Sequence, residues 1–147
     1  MTQALLERGW RVVGTSRTIS SSKNLTPSPH LVLVDGDVVN ISGASVDQPS
    51  RAERALLAIL SKSTMPAASK ALAMEYAANN IRFNTVSPGV VNTPMHANGD
   101  HAELAKFHPL GRIGEVSEVV DAVLYLQNAT FVTGENIRVD GGIHAGR

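Results

Sequence analysis

The 147-residue chain contains no cysteine, which excludes a disulfide framework, a thiolate nucleophile and a cysteine-based zinc site. Aromatic residues make up only 4% of it, so the core must be built from Ala, Val, Leu and Ile. Thirteen basic residues balance thirteen acidic ones and leave a formal charge of zero, with no basic run. Such a chain attracts neither nucleic acid nor an anionic membrane surface. No apolar run approaches the ~18 residues that a membrane span needs, and the first residues lack the apolar segment of a signal peptide. There is no internal repeat, and the hydrolase motif G-x-S-x-G is missing. These absences lead us to expect a cytoplasmic protein that acts on neither nucleic acid nor membrane.

What remains is 43% hydrophobic and 18% charged, ordinary for a soluble domain and enough for one core. The most informative stretch is Ile81-Arg-Phe-Asn-Thr-Val-Ser-Pro-Gly-Val-Val-Asn-Thr-Pro-Met95. Ile81 to Val86 is short and rich in β-branched residues, so it reads as a strand. Pro88 has no N–H and Gly89 permits a sharp exit, so the ladder is expected to stop there. A strand ending in a tight turn, then a hydroxyl, is where open α/β sheets hold ligands.

Upstream, Met1 to Arg8 reads as the end of a helix closed by Gly9, the remainder of a longer element. Trp10 to Thr15 reads as a strand with Ser16-Arg17 at its end, and Thr18 to His30 as a polar loop. Leu31–Val34 and Val38–Ile41 are two further strands, separated only by Asp35-Gly36-Asp37. A parallel crossover needs about a dozen residues, whereas Asp-Gly between apolar runs signals a hairpin. Ser50 to Asn79 carries helical spacing, with Ala52, Ala55, Leu56, Ile59 and Leu60, then Ala68, Leu72 and Tyr76, as the expected buried face. Pro66 opposes the Lys62 carbonyl and should kink or restart that helix. His96 and His101, five apart, do not share a helix face and do not make a metal site. Ser117 to Gln127 reads as a helix that buries Val119, Val120, Val123, Leu124 and Leu126.

Several of these segments resemble the short-chain dehydrogenase/reductase family. Ile81 to Thr93 matches its strand-end signature I-R-x-N-x-V-x-P-G-x-x-x-T. Pro109-Leu-Gly-Arg-Ile-Gly-Glu115 is similar to its P-L-G-R-x-G-x turn, Phe131 to Gly142 to its closing T-G-x-x-x-x-V-D-G-G, and Val39-Asn-Ile-Ser42 to its serine-bearing strand. The resemblance implies one α/β, Rossmann-like domain over residues 1–147, with a largely parallel sheet and helices on both faces. It also implies that the glycine-rich phosphate loop, the N-N-A-G strand and hence the first and fourth strands are missing. An internal deletion, or a join between pieces of a longer chain, is the expectation. If the sheet closes that gap, Arg17 moves about 10 Å relative to Thr93.

The activity implied is hydride transfer between NADP (NAD possible) and a small alcohol or ketone. By resemblance, the Pro88-Gly89 backbone and Thr93 hold the nicotinamide carboxamide, Val91 is a further cofactor-binding position, Ser16 and Arg17 meet a 2′-phosphate, and Asp37 contacts adenine. The family's Tyr and Lys stand four apart on the long helix, where Lys lowers the Tyr pKa and holds the nicotinamide ribose. Two frames compete. Pro66-Ala-Ala-Ser-Lys70 mimics the motif, while Leu60-Ser-Lys62 fits its distance to Ile81 better, and we place the lysine at Lys62. The tyrosine position is then Ala58, and the usual serine position is Gly43, with Ser42 and Ser45 as substitutes. Tyr76 is expected in the core. Little turnover is therefore expected. The alternative is a non-catalytic remnant serving as an oligomer partner or small-ligand binder, and a homo-oligomer through the long helix and last strand is expected.

Overall fold

Two parallel sheets carry the structure among the described residues. The computed structural model describes residues 12–16, 31–35, 37–44 and 56–146. Strand β1 (Val12–Ser16) pairs in parallel with β2 (Leu31–Asp35), from Val12 opposite Leu31 to Ser16 opposite Asp35. Strand β3 (Val38–Ile41) begins a second sheet. The 20-residue helix α1 (Leu56–Glu75) leads to β4 (Phe83–Pro88). A short helix α2 (His101–Ala105), the helix α3 (Val116–Asn128) and strand β5 (Asn136–Val139) complete the order. In the second sheet the order is β3-β4-β5, all parallel, with β4 central. Helical crossovers make parallel pairing possible: α1 packs on β3 and β4, and α3 on β4 and β5. No helix among the described residues is long and apolar enough to cross a membrane.

The hairpin expected at Asp35-Gly36 does not form, because β2 and β3 belong to different sheets. Asp37 explains the difference. Its carboxylate accepts the Arg82 backbone N–H at 2.9 Å and the guanidinium at 3.0 and 2.6 Å. The Val38 N–H then donates to the Arg82 carbonyl at 2.9 Å and opens the β3–β4 ladder. Residue 37 thus anchors a strand rather than turning one. Arg82 also donates to the carbonyls of Leu126, Gln127, Ala129 and Val132, and so fastens the end of α3 to the same corner.

The core around β4 is small and polar. Val86 and Leu126 are fully buried, but so are Ser69, Thr85, Asn84 and Ser87. Burial of such groups is tolerable only when they are bonded, and they are. Ser69 Oγ lies 2.8 Å from Thr85 Oγ1 and accepts from Asn40 Nδ2 at 2.8 Å. Asn84 bridges to Val132 and Glu135, and Ser87 donates to Asn136 at 2.8 Å.

The helix faces differ from expectation. Toward the sheet, α1 turns Ile59, Ser63, Pro66, Ser69 and Ala73, while Leu56, Leu60 and Ala68 are exposed. Small residues allow the helix to approach β3 and β4 closely, and Leu56, Leu57 and Leu60 go to the other side, while Leu72 is half-buried. On α3, Leu126 is buried but Val120 and Leu124 are exposed, in line with Val116. Pro66 sits inside a continuous α1 and does not divide it. Tyr76 is half-buried against Phe83, with ring centroids 5.6 Å apart.

Candidate functional site

The site is built at the C-terminal ends of β3 and β4. Pro88 is the last ladder residue, opposite Val139, and the Gly89 N–H donates to the Val139 carbonyl at 2.9 Å. The ladder stops at Pro88, where the sequence led us to expect it. Gly89 has no room for a side chain: a Cβ there would stand 2.7 Å from His108 Nε2 and 3.0 Å from the Asp140 Cα. The Val90 N–H donates to His108 Nε2 at 3.0 Å.

A parallel bridge then joins Val91 to Gly114. Its two bonds use the neighbours of Val91: Gly114 N–H to the Val90 carbonyl at 2.9 Å, and Asn92 N–H to the Gly114 carbonyl at 2.8 Å. In such a bridge the N–H and C=O of the central residue point to the opposite side. Among the described residues, neither Val91 group meets a hydrogen-bond partner. A backbone donor and acceptor side by side are complementary to a carboxamide, which offers both. Thr93 follows at the start of the turn Pro94–His96, and its side chain gives that turn no capping bond.

Lys62 approaches the same place from α1. A Cβ added to Gly43, just beyond β3, would lie 3.8 Å from Lys62 Nζ and 4.0 Å from the Pro88 carbonyl oxygen. Lys70, by contrast, packs beside Gly134, whose N–H bonds the Phe83 carbonyl at the start of β4. Lys62, not Lys70, therefore stands where the strands end. The reason its helix sits as it does involves Pro66. A proline at position 66 has no N–H for the Lys62 carbonyl four residues before it. Ser42, only 2% exposed, supplies the missing donor: its hydroxyl donates to that carbonyl at 3.0 Å. Ser42 thus ties the end of β3 to α1, and its proton is committed to backbone.

The remaining expected residues lie apart. Asp37 is at the N-terminal end of β3, held by Arg82, and is not brought together with Pro88, Gly89, Val91 or Thr93. Both Asp37 carboxylate oxygens accept from Arg82. Ser16 ends β1 in the other sheet. Arg17 and Ser45 lie outside the described residues, as does the side chain of Ala58.

Two residues that shape β4, Arg82 at its start and His108 at the turn after its end, were not singled out from the sequence as site residues. Arg82 is a charged residue buried at the mouth of a central strand, an anomaly that could have marked it. His108 gave no such signal, since its partner Val90 is 18 residues away.

On the far side of the turn lies a cavity of about 290 Å³, lined among others by His108, Leu110, Arg112, Arg138, Asp140 and His144. None of the expected site residues lines it. Asp140 is buried there. Burial pushes its carboxyl up, but the N–H groups of His144 and Gly142, with the His144 imidazole, outweigh this and leave it below the usual range. Arg112 pairs with Glu118 at 2.6 Å, and that guanidinium, with the Glu115 N–H, holds the Glu118 carboxyl down at about 2.

Comparison with known proteins gives a consistent result. The family model described as enoyl-(acyl carrier protein) reductase matches residues 12–144. Cyclohexanol dehydrogenase of Acinetobacter sp. (strain SE19) is 47% identical over 74 residues, covering 49% of this chain and 30% of that protein. Carbonyl reductase family member 4 of Xenopus laevis is 39% identical over 108 residues, covering 74% of this chain and 45% of the relative. The chain thus spans less than half the length of these curated relatives. Among solved structures, a putative betaketoacyl-ACP reductase superposes with a TM-score of 0.65 at 32% identity, covering 76% of this chain and 48% of that one. ElxO with NADP bound superposes at 0.69 and 23% identity over the same shares, a likeness of fold alone.

Proposed function

Since the chain belongs to the short-chain dehydrogenase/reductase family, we propose that it takes the nicotinamide end of NADP where β3 and β4 end. There it supports slow hydride transfer with a small alcohol or carbonyl substrate. The observation that carries the reading is the N–H and C=O pair of Val91, without partners among the described residues, on the turn that follows Pro88, with Lys62 and the Pro88 carbonyl both near Gly43. The donor set fits the cofactor: Val91 for the carboxamide, the Thr93 hydroxyl beside it, and the Lys62 ammonium for ribose hydroxyls. Bound NADPH supplies the hydride. A carbonyl reduction also needs a proton at the substrate oxygen. Ala58 and Gly43 stand at the positions that would deliver and orient that proton, so it comes from water and the rate is low. NADP is preferred over NAD because Arg17 follows Ser16 at the end of β1. The reading carries with it a cytoplasmic setting.

A second reading has an observation of its own. Leu56, Leu57 and Leu60 of α1 are 58–81% exposed, and apolar patches of this kind mark interaction sites. A chain that binds nicotinamide without turnover and pairs through α1 as a homo-oligomer fits them. A fluorescence titration with NADPH, NADH as comparator, is the test of the first reading. Saturable binding with measurable carbonyl reduction supports it, binding without turnover favours the second, and no saturable change at millimolar NADPH overturns the cofactor assignment.

A further inference from the structure

Among the described histidines only His108 is buried, at 4% exposure. Its two ring nitrogens are both engaged by backbone. Nε2 accepts the Val90 N–H at 3.0 Å, and Nδ1 lies 3.2 Å from the Leu104 carbonyl oxygen. A carbonyl only accepts, so Nδ1 carries the proton and Nε2 is bare. The ring is wedged between two strand-end loops, each with a glycine where the imidazole sits. A Cβ at Gly89 would meet Nε2 at 2.7 Å, and one at Gly141 would meet the His108 Cβ at 3.1 Å. Its own backbone is fixed as well: the His108 N–H donates to the Ala105 carbonyl at 3.0 Å, and its carbonyl accepts from Gly111 at 2.8 Å. The imidazole is therefore a rigid strut from the end of α2 to the turn after β4.

We propose that His108 is a positioning residue for the nicotinamide-binding turn. By accepting the Val90 N–H it fixes one side of the segment, so that the N–H and C=O of Val91 are presented together on the other. This rests on the reading under Proposed function. Removing the acceptor leaves the Val90 N–H facing an apolar group, a loss the turn relieves by twisting.

The test compares wild type, His108→Phe and His108→Gln. Phenylalanine fills the space without an acceptor, and glutamine brings an amide oxygen near the Nε2 position. In wild type, long-range proton–nitrogen spectra should show the Nδ1-protonated tautomer, which needs no variant to fold. In H108F the Val90 amide should exchange faster and the Kd for NADPH should rise about tenfold, while H108Q recovers most of both. The Nε2-protonated tautomer, NADPH binding in H108F as tight as wild type, or an H108Q as weak as H108F would each overturn the inference. If wild type does not bind NADPH, the functional reading falls and the Val90 amide alone decides the role of His108. Faster exchange in H108F, restored in H108Q, then supports it, and unchanged exchange refutes it.

Discussion

The ends of β3 and β4 lie side by side, yet they have kept different things. After β4 the turn is complete: Gly89, Val90, Asn92 and Gly114 all make backbone bonds, and Val91 meets no partner among the described residues. After β3, Gly43 stands beside Lys62 and Ala58 one helical turn before it, so on the proposed reading the two positions that would orient and deliver a proton carry no hydroxyl. The difference lies in how each end does its work. On the proposed reading, carboxamide binding is done by backbone, which many sequences can supply once Pro88 and Gly89 shape the turn. On the same reading, proton delivery needs two particular side chains, and neither stands at its position.

The largest expected effect comes from putting those side chains back. Gly43→Ser with Ala58→Tyr should raise carbonyl reduction about a hundredfold or more, with the Kd for NADPH little changed. The serine fits, because a Cβ at position 43 meets nothing closer than 3.6 Å. Steady-state kinetics decide it, and an unchanged kcat would show that more than the acid is lost. Breaking the other half comes next. Gly89→Ala forces a Cβ against His108 and Asp140 and should cost about 1–3 kcal/mol in urea unfolding, while weakening NADPH binding.

A smaller effect belongs to the tie between the two halves. Ser42→Ala leaves the Lys62 carbonyl without a donor and should cost about 1 kcal/mol. Adding Pro66→Ala should recover most of this by restoring the helical N–H, and a double-mutant cycle reads the coupling. Least of all is the acid response of Glu118. Its carboxyl is held at about 2, against 4.5 ordinarily, so its stabilisation is present above pH 4.5 and lost as pH falls toward 2. Glu118→Gln should flatten the fall of Tm over that window, slightly, because the pair is exposed to solvent.

Much of this was legible in the sequence where the signal is local. The Pro88-Gly89 exit, the closing Asp140-Gly-Gly corner and α3 were read from contiguous residues. What was misread depends on distant partners. Asp35-Gly36 looked like a hairpin because nothing nearby reveals that Asp37 belongs to Arg82, 45 residues on. The buried face of α1 was assigned to Leu56 and Leu60 by their hydrophobicity. The sheet instead selects Ser63, Ser69 and Ala73 by size, and Ser69 bonds to Asn40 and Thr85. Pro66 looked like a helix break because Ser42, which compensates for it, lies 20 residues before the carbonyl it caps. For His108 no local pattern exists.

The most direct test of the central claim uses reduced nicotinamide mononucleotide, which presents the nicotinamide end without the adenylate. Titrated into 15N-labelled protein, it should shift the Val91 and Thr93 amides saturably, with Lys62 responding and Asp37 unmoved. Absence of a saturable shift at Val91, or shifts confined to the cavity around Arg138 and His144, would contradict the account.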